Sequence, residues 1–256
     1  MQHYPNHRSS DPTRLGELSR RYSHVICGSD QVWNPHITGW DMSFFLDFCS
    51  GQTKRVSYAP SFGISEFPRE FQNQIRPELE QFHRISAREA EGQQLLEKML
   101  QRQIPLVLDP TFLLSKEQWI QQERPCSVTE APYILYYTVS SSEPLMKFAL
   151  ELAEKLNKKL VVVGGNVLRQ LKNKNDRIQY ACDLEPRQWL WLLHHADCVV
   201  TNSFHGTAFS INYEKEFYVE FSSSTNSRLE QIIRTTGLEG RIVTAETTMA
   251  EPPVDY

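Results

Sequence analysis

An alternation of short apolar runs with helix-period segments constrains the second half of this chain more than any other feature. Tyr133–Val139 is a continuous β-type run, and Leu160–Val163, Cys198–Thr201 and Phe217–Phe221 are shorter ones. Between them, Leu145, Phe148, Ala149, Leu152 and Leu156 fall at helical spacing after Ser142 and Pro144. Trp189, Leu192, Leu193 and Ala196 do the same after Pro186. Strands that are apolar throughout are covered on both faces, and strands separated by helices run parallel. The pattern predicts an open, mostly parallel sheet with helices on both sides. A further helix over 228–236 opens with a Ser227/Glu230 capping box and stops at Gly237, and Arg241–Val243 is expected as a last strand.

The first half is less regular. Strands are expected at 24–27, 54–58 and 106–108. Between the last two lies a helical tract that starts near Pro68, is punctuated by Pro77 and resumes after Ser86, whose spacing to Glu89 fits a capping box. Leu95, Leu96, Met99 and Leu100 give the second part an apolar face. The stretch Gln122–Pro132 carries two prolines and little apolar periodicity, so it is expected to link a domain over 1–125 to one over 131–256.

Composition narrows the class. With 256 residues, 40% hydrophobic and 23% charged, the chain is a globular protein of one large or two ordinary domains. A net charge of −4 without basic runs argues against nucleic acid as a partner. The five cysteines have no CxxC spacing, and Cys27 and Cys198 sit in apolar runs, which suits a reducing compartment. No apolar stretch approaches the roughly 18 residues of a membrane span, and Met1–Arg14 is polar, so a cytoplasmic location is expected. His194-His195 lack a third ligand at usable spacing, and no metal site is expected. Gly164-Gly165 is too short for a dinucleotide loop.

The stretch Thr201-Asn-Ser-Phe-His-Gly-Thr-Ala208 carries the chemistry. It joins a strand directly to a helix, aiming backbone N–H groups and the positive dipole end at one point, with the imidazole of His205 beside it. The plainer reading makes Asn202 and Ser203 helix caps and His205 a turn residue. Near the start, the run His24–Cys27 leads into Gly28-Ser-Asp-Gln-Val-Trp-Asn-Pro35. Asp30 and Gln31 there follow a strand, at the edge where open α/β sheets hold ligands, or Asp30 simply makes an Asx-turn. Trp33 either stacks on a sugar ring or belongs to the core.

Gly28–Pro35, Lys54–Gly63, Leu106–Leu114 and Ser203–Gly206, in that order, resemble the motifs of the polysaccharide pyruvyl transferase family. The resemblance implies an α/β chain of two Rossmann-like halves, glycosyltransferase-B-like, with the N-terminal half incomplete and a further C-terminal helix absent relative to the family. A missing strand leaves an unpaired sheet edge, which favours pairing with a second copy, a homo-oligomer. The implied reaction moves pyruvate from phosphoenolpyruvate as a ketal onto hydroxyls of a glycan or glycolipid precursor, without a cofactor. On this reading His205 and Asp30 are catalytic, and Asn202, Ser203, Gly206, Arg228 and Gln31 bind substrate. Gly206 lets backbone approach a ligand. Many relatives have an arginine where this chain has Ser203, and Arg228 is the candidate replacement charge. Asp109 resembles a family position but reads as a strand-end cap. Two other functions remain open: a nucleotide-sugar-dependent glycosyltransferase, for which Glu220 is the candidate ribose ligand, and a truncated, non-catalytic relic.

Overall fold

The computed structural model describes residues 11–64, 67–128, 132–164, 176–221 and 227–244, without the side chain of Ser227. The chain divides into two compact units, Met1–Pro110 and Thr111–Tyr256. The boundary lies ahead of the proline-bearing link expected at 122–132, because the tract after Pro110 packs on the second unit. Its helix α5 (Lys116–Ile120) places Trp119 edge-on against Phe209 at 5.0 Å. Asn212 Nδ2 donates to the Leu114 carbonyl at 3.1 Å, and Arg124 N donates to the Arg187 carbonyl at 3.0 Å.

The first unit is built on three parallel strands in the order β1 (His24–Cys27), β2 (Lys54–Ser57) and β3 (Phe82–Arg84). β1 and β2 fall where the sequence puts them. β3 replaces the middle of the expected helical tract, and the expected strand at 106–108 is reduced to one bridge between Ala87 and Leu106. After the short helices α1 (Pro12–Ser19) and α2 (Pro35–Thr38), helix α3 (Arg69–Glu80) runs through Pro77 and buries Phe71, Ile75 and Leu79, one residue per turn on one face. Helix α4 starts at Ala90 and ends at Leu100. The expected Ser86/Glu89 capping box does not form. Ser86 Oγ instead accepts from Ala59 N at 2.9 Å, and Glu89 Oε1 accepts from Ser61 Oγ and Phe62 N, each at 2.9 Å. Trp33 is fully buried, stacked on Phe45 at 5.3 Å with Nε1 donating to the Phe44 carbonyl, which fixes it as core and removes the sugar-stacking reading.

The second unit is a doubly wound half. Its five parallel strands are β4 (Tyr133–Tyr137), β5 (Lys159–Val163), β6 (Ile178–Tyr180), β7 (Cys198–Thr201) and β8 (Phe217–Val219), in the spatial order β6-β5-β4-β7-β8. The chain winds outward from β4 to β6, returns, and then lays β7 and β8 on the other side. The reversal between β4 and β7 is the switch point at which such sheets bind ligands. Helix α6 (Glu143–Lys155) covers the face bearing Ile134, Tyr136, Leu160 and Val200. Helices α7 (Pro186–His195), α8 (Phe204–Asn212) and α9 (Ser227–Thr236) cover the face bearing Leu135, Val161, Val199 and Phe217. Burial of both faces explains why these strands are apolar without alternation. Arg241–Val243 is not a strand: residues Glu239–Arg241 form a 3-10 turn, and only Ile242 bridges Val219. The Ser227 cap and Gly165 lie outside the described residues. Among the described residues, no helix is long and apolar enough to cross a membrane.

Candidate functional site

The turn from β7 into α8 is held by its own side chains. Thr201 Oγ1 donates to the Tyr137 carbonyl at 2.6 Å and accepts from Ser203 N at 3.0 Å. Ser203 is the helix N-cap, its Oγ accepting from Gly206 N at 3.3 Å. Asn202 spans the switch point: Oδ1 accepts from Val139 N at 3.0 Å, and Nδ2 donates to the Ser140 carbonyl at 2.9 Å. Of the two caps of the plainer reading, Ser203 is present, whereas Asn202 ties the turn to the loop after β4. A Cβ on Gly206 would stand 2.4 Å from Thr201 Oγ1 and 3.0 Å from Tyr137 Cδ1, so close packing of α8 on the sheet accounts for this glycine.

His205 differs from its neighbours. It stands half-buried in the first turn of α8, flanked by the Phe204 ring edge-on at 5.5 Å. The Arg228 guanidinium lies over that same Phe204 ring, 5.7 Å from its centroid, on a residue only 8% exposed. The sequence separates Phe204 and Arg228 widely, and packing of α9 on α8 brings them together. One end of α8 thus carries an imidazole, a guanidinium and the positive end of the helix dipole. Glu220, after β8, accepts from Ser142 Oγ at 2.7 Å. Beside this turn, a cavity of about 530 Å³ opens at the carboxyl ends of β4, β5 and β6, lined by Tyr137, Gly164, Tyr180, Asp183 and Trp189 among others.

The first unit has a polar cluster at the carboxyl ends of its strands. Arg88 Nη1 donates to Asp109 Oδ2 at 2.6 Å, and Ser29 Oγ stands 2.8 Å from the same oxygen. Asp30, at φ 75°, keeps its side chain 59% exposed, 3.5 Å from Arg88 Nη2. Gln31 turns inward: its Oε1 accepts from Asn34 Nδ2 at 2.7 Å and packs over Gly63. Arg88 carries no mark in the sequence, and Glu89 reads there only as a capping-box partner. The signal is two adjacent ionisable residues directly after Ile85-Ser86-Ala87, all five of them buried in the fold. Asp109 is the buried partner of Arg88.

The pair His194-His195 acquires a third potential ligand from the fold. Glu123, 71 residues earlier, brings its carboxylate to His194 Nδ1, at 3.0 Å for Oε1 and 3.2 Å for Oε2.

Among solved structures, the chain resembles UDP-GlcNAc 2-epimerase from Methanocaldococcus jannaschii, at 11% identity with a TM-score of 0.59 over 93% of this chain and 70% of that one. The S. aureus MnaA-UDP co-structure aligns at 13% identity and TM-score 0.57, over 93% of this chain and 66% of that one. At such identity these likenesses establish the fold alone, α/β and glycosyltransferase-B-like. No curated protein matches the sequence. The family model described as polysaccharide pyruvyl transferase matches residues 3–219, spanning both sheets and the His205 turn, and the chain belongs to that family.

Proposed function

We propose that this chain is a transferase that moves the pyruvyl unit of phosphoenolpyruvate onto two hydroxyls of a glycan, forming a ketal and releasing phosphate. The observation that carries the reading is the grouping of His205 and Arg228 at the dipole-positive end of α8, next to the switch point of a parallel sheet. Phosphoenolpyruvate brings a phosphate and a carboxylate together, and a guanidinium with a helix N-terminus suits such a dianionic group.

In the reaction, a proton adds to the methylene carbon and leaves an oxocarbenium-like centre at C2. One acceptor hydroxyl attacks C2, phosphate departs with the C–O bond, and the second hydroxyl closes the ketal. Of the two hydroxyl protons, one balances the new methyl group and the other leaves with phosphate. His205 supplies or removes the proton near neutral pH. Asp30 is the candidate base for the acceptor hydroxyl, being the exposed carboxylate of the first unit's cluster. Arg228 takes the charge that relatives draw from an arginine at the position of Ser203. Asn202, Ser203 and Gly206 hold the turn in shape, and Gln31 fixes the loop that carries Asp30.

The cavity at β4–β6 favours a second reading, a nucleotide-sugar donor, because aromatic walls of Tyr137, Tyr180 and Trp189 suit a base or a sugar ring. Phosphate release from phosphoenolpyruvate, measured with a panel of glycan acceptors, separates the two. Release that depends on acceptor and falls in His205→Ala supports the pyruvyl reading. No release with any acceptor, with turnover of a nucleotide-sugar, replaces it.

A further inference from the structure

We propose that Glu123, His194 and His195 form a binding site for a zinc-like divalent cation, at the end of α8 opposite His205. Ligand atoms of the three residues lie within 4.8 Å of one another. His194 Nδ1 and the Glu123 oxygens are 3.0 and 3.2 Å apart. Two ligands each about 2.0–2.1 Å from a tetrahedral zinc are separated by roughly 3.4 Å, so this pair already stands near a ligand–ligand edge. His195, whose side chain is exposed, needs to close by little more than an ångström.

Four further observations point the same way. The Glu123 side chain is only 6% exposed, and its carboxylate faces His194 Nδ1 and the Tyr213 ring system rather than solvent. A buried carboxylate beside an imidazole favours a cation held between them. His195 Nδ1 lies 2.9 Å from the Trp191 carbonyl, and a carbonyl can only accept. Nδ1 therefore donates to that carbonyl, the kind of contact that orients a metal-binding imidazole by its other nitrogen. Both rings are fixed by stacking, His194 on Tyr213 at 4.9 Å and His195 on Trp191 at 4.2 Å. Both histidines also sit in the last turn of α7, where the helix dipole is negative and a cation is favoured.

The ligand set selects the metal class. Two imidazoles and one carboxylate suit zinc, cobalt or nickel, whereas magnesium and calcium need more oxygen ligands than the site supplies. The cation would tie the segment after α5 to the end of α7, stapling the tract that leads into the second unit. This role is independent of the transferase reading.

The test uses full-length protein without a histidine tag, stripped of metal and titrated with Zn²⁺ by calorimetry and with Co²⁺ by visible absorption. One equivalent binds and raises Tm, and Mg²⁺ does neither. His195→Ala removes an exposed side chain and its stack on Trp191, so it lowers the metal-free Tm slightly and weakens Zn²⁺ binding at least tenfold. Glu123→Gln weakens it about 10- to 100-fold, while His83→Ala, at an exposed histidine of the first unit, has no effect. Failure to bind Zn²⁺, or Zn²⁺ binding that survives both His195→Ala and Glu123→Gln, overturns the proposal.

Discussion

Arg88 and Asp109 form an ion pair at 2.6 Å with 2% and 1% of their side chains exposed. Two charges are thus desolvated together at the carboxyl edge of the first sheet, where the loops after β1, β2 and β3 converge. Arg88 also reaches toward Asp30, 3.5 Å away, so the candidate base rests against a buried cation that cannot move freely. Glu89, next in sequence, anchors the neighbouring loop by accepting from Ser61 Oγ and Phe62 N.

Removing one member leaves the other charge buried and uncompensated. Arg88→Met or Asp109→Asn should each cost about 3–5 kcal/mol in urea unfolding. The double variant Arg88→Met/Asp109→Leu should recover most of that loss, since a well-packed apolar pair replaces an ion pair at little cost. A double variant no more stable than the worse single one would mean the cluster serves packing in some other way.

The second unit was largely legible because its strands are apolar on both faces and its helices carry ordinary start signals. The Ser142 cap, Pro144 and Pro186 all stand where the sequence puts them. β6 was not legible, because Ile178-Gln-Tyr180 is three residues long and half-buried throughout. β3 was hidden by the helix-like composition on either side of it. The candidate site divides in the same manner. His205 and its turn are a local pattern and could be read directly. The Arg228–Phe204 contact, the Arg88–Asp109 pair and the Glu123–His194 approach are long-range, and no local spacing encodes them. Asn202, Gln31 and Gly206 look like ligand contacts in sequence, yet their geometry serves the turn, the loop and the packing of α8.

Gly206 offers a sharp packing test. Gly206→Ala brings a Cβ to within 2.4 Å of Thr201 Oγ1 and 3.0 Å of Tyr137 Cδ1. Alanine gains up to about 1 kcal/mol of helix propensity, but overpacking of a buried contact costs about 1–3 kcal/mol. The variant should be less stable, and α8 should shift away from β7. Unchanged stability by chemical denaturation would show that the turn has slack.

Alkaline pH should destabilise the fold. Burial pushes the Cys27 and Cys198 thiols and the Tyr136 hydroxyl each up to about 12, from 9.0 for a thiol and 10.0 for a tyrosine. The folded state holds these protons more tightly than the unfolded chain does. Their contribution is complete below the unfolded values, near pH 9 for the thiols and 10 for the tyrosine, and is lost as pH rises toward 12. Each group can remove up to about 1.4 kcal/mol per pH unit inside that window. The same burial predicts selectivity toward thiol reagents at pH 8: exposed Cys182 reacts, while Cys27 and Cys198 react only on unfolding. Fast labelling of Cys27 or Cys198 in the native protein would contradict both expectations.

Ligand-induced stabilisation tests His205 and Arg228 together. A ligand that binds only the folded state raises Tm by mass action, so phosphoenolpyruvate should raise it in a saturable way. His205 is half-buried, so His205→Ala should leave the ligand-free Tm nearly unchanged and reduce the shift. Arg228 is buried against Phe204, so Arg228→Lys, which keeps the charge and loses the planar fork, is the better probe there. It should lower the ligand-free Tm and also reduce the shift. If both groups hold one phosphate, the double variant should lose less than the sum of the two single losses. A shift with a nucleotide-sugar but none with phosphoenolpyruvate moves the donor to the cavity at β4–β6, and Trp189→Ala should then abolish it. If neither ligand raises Tm, the His205 turn is a structural feature and the chain has no donor site of either kind.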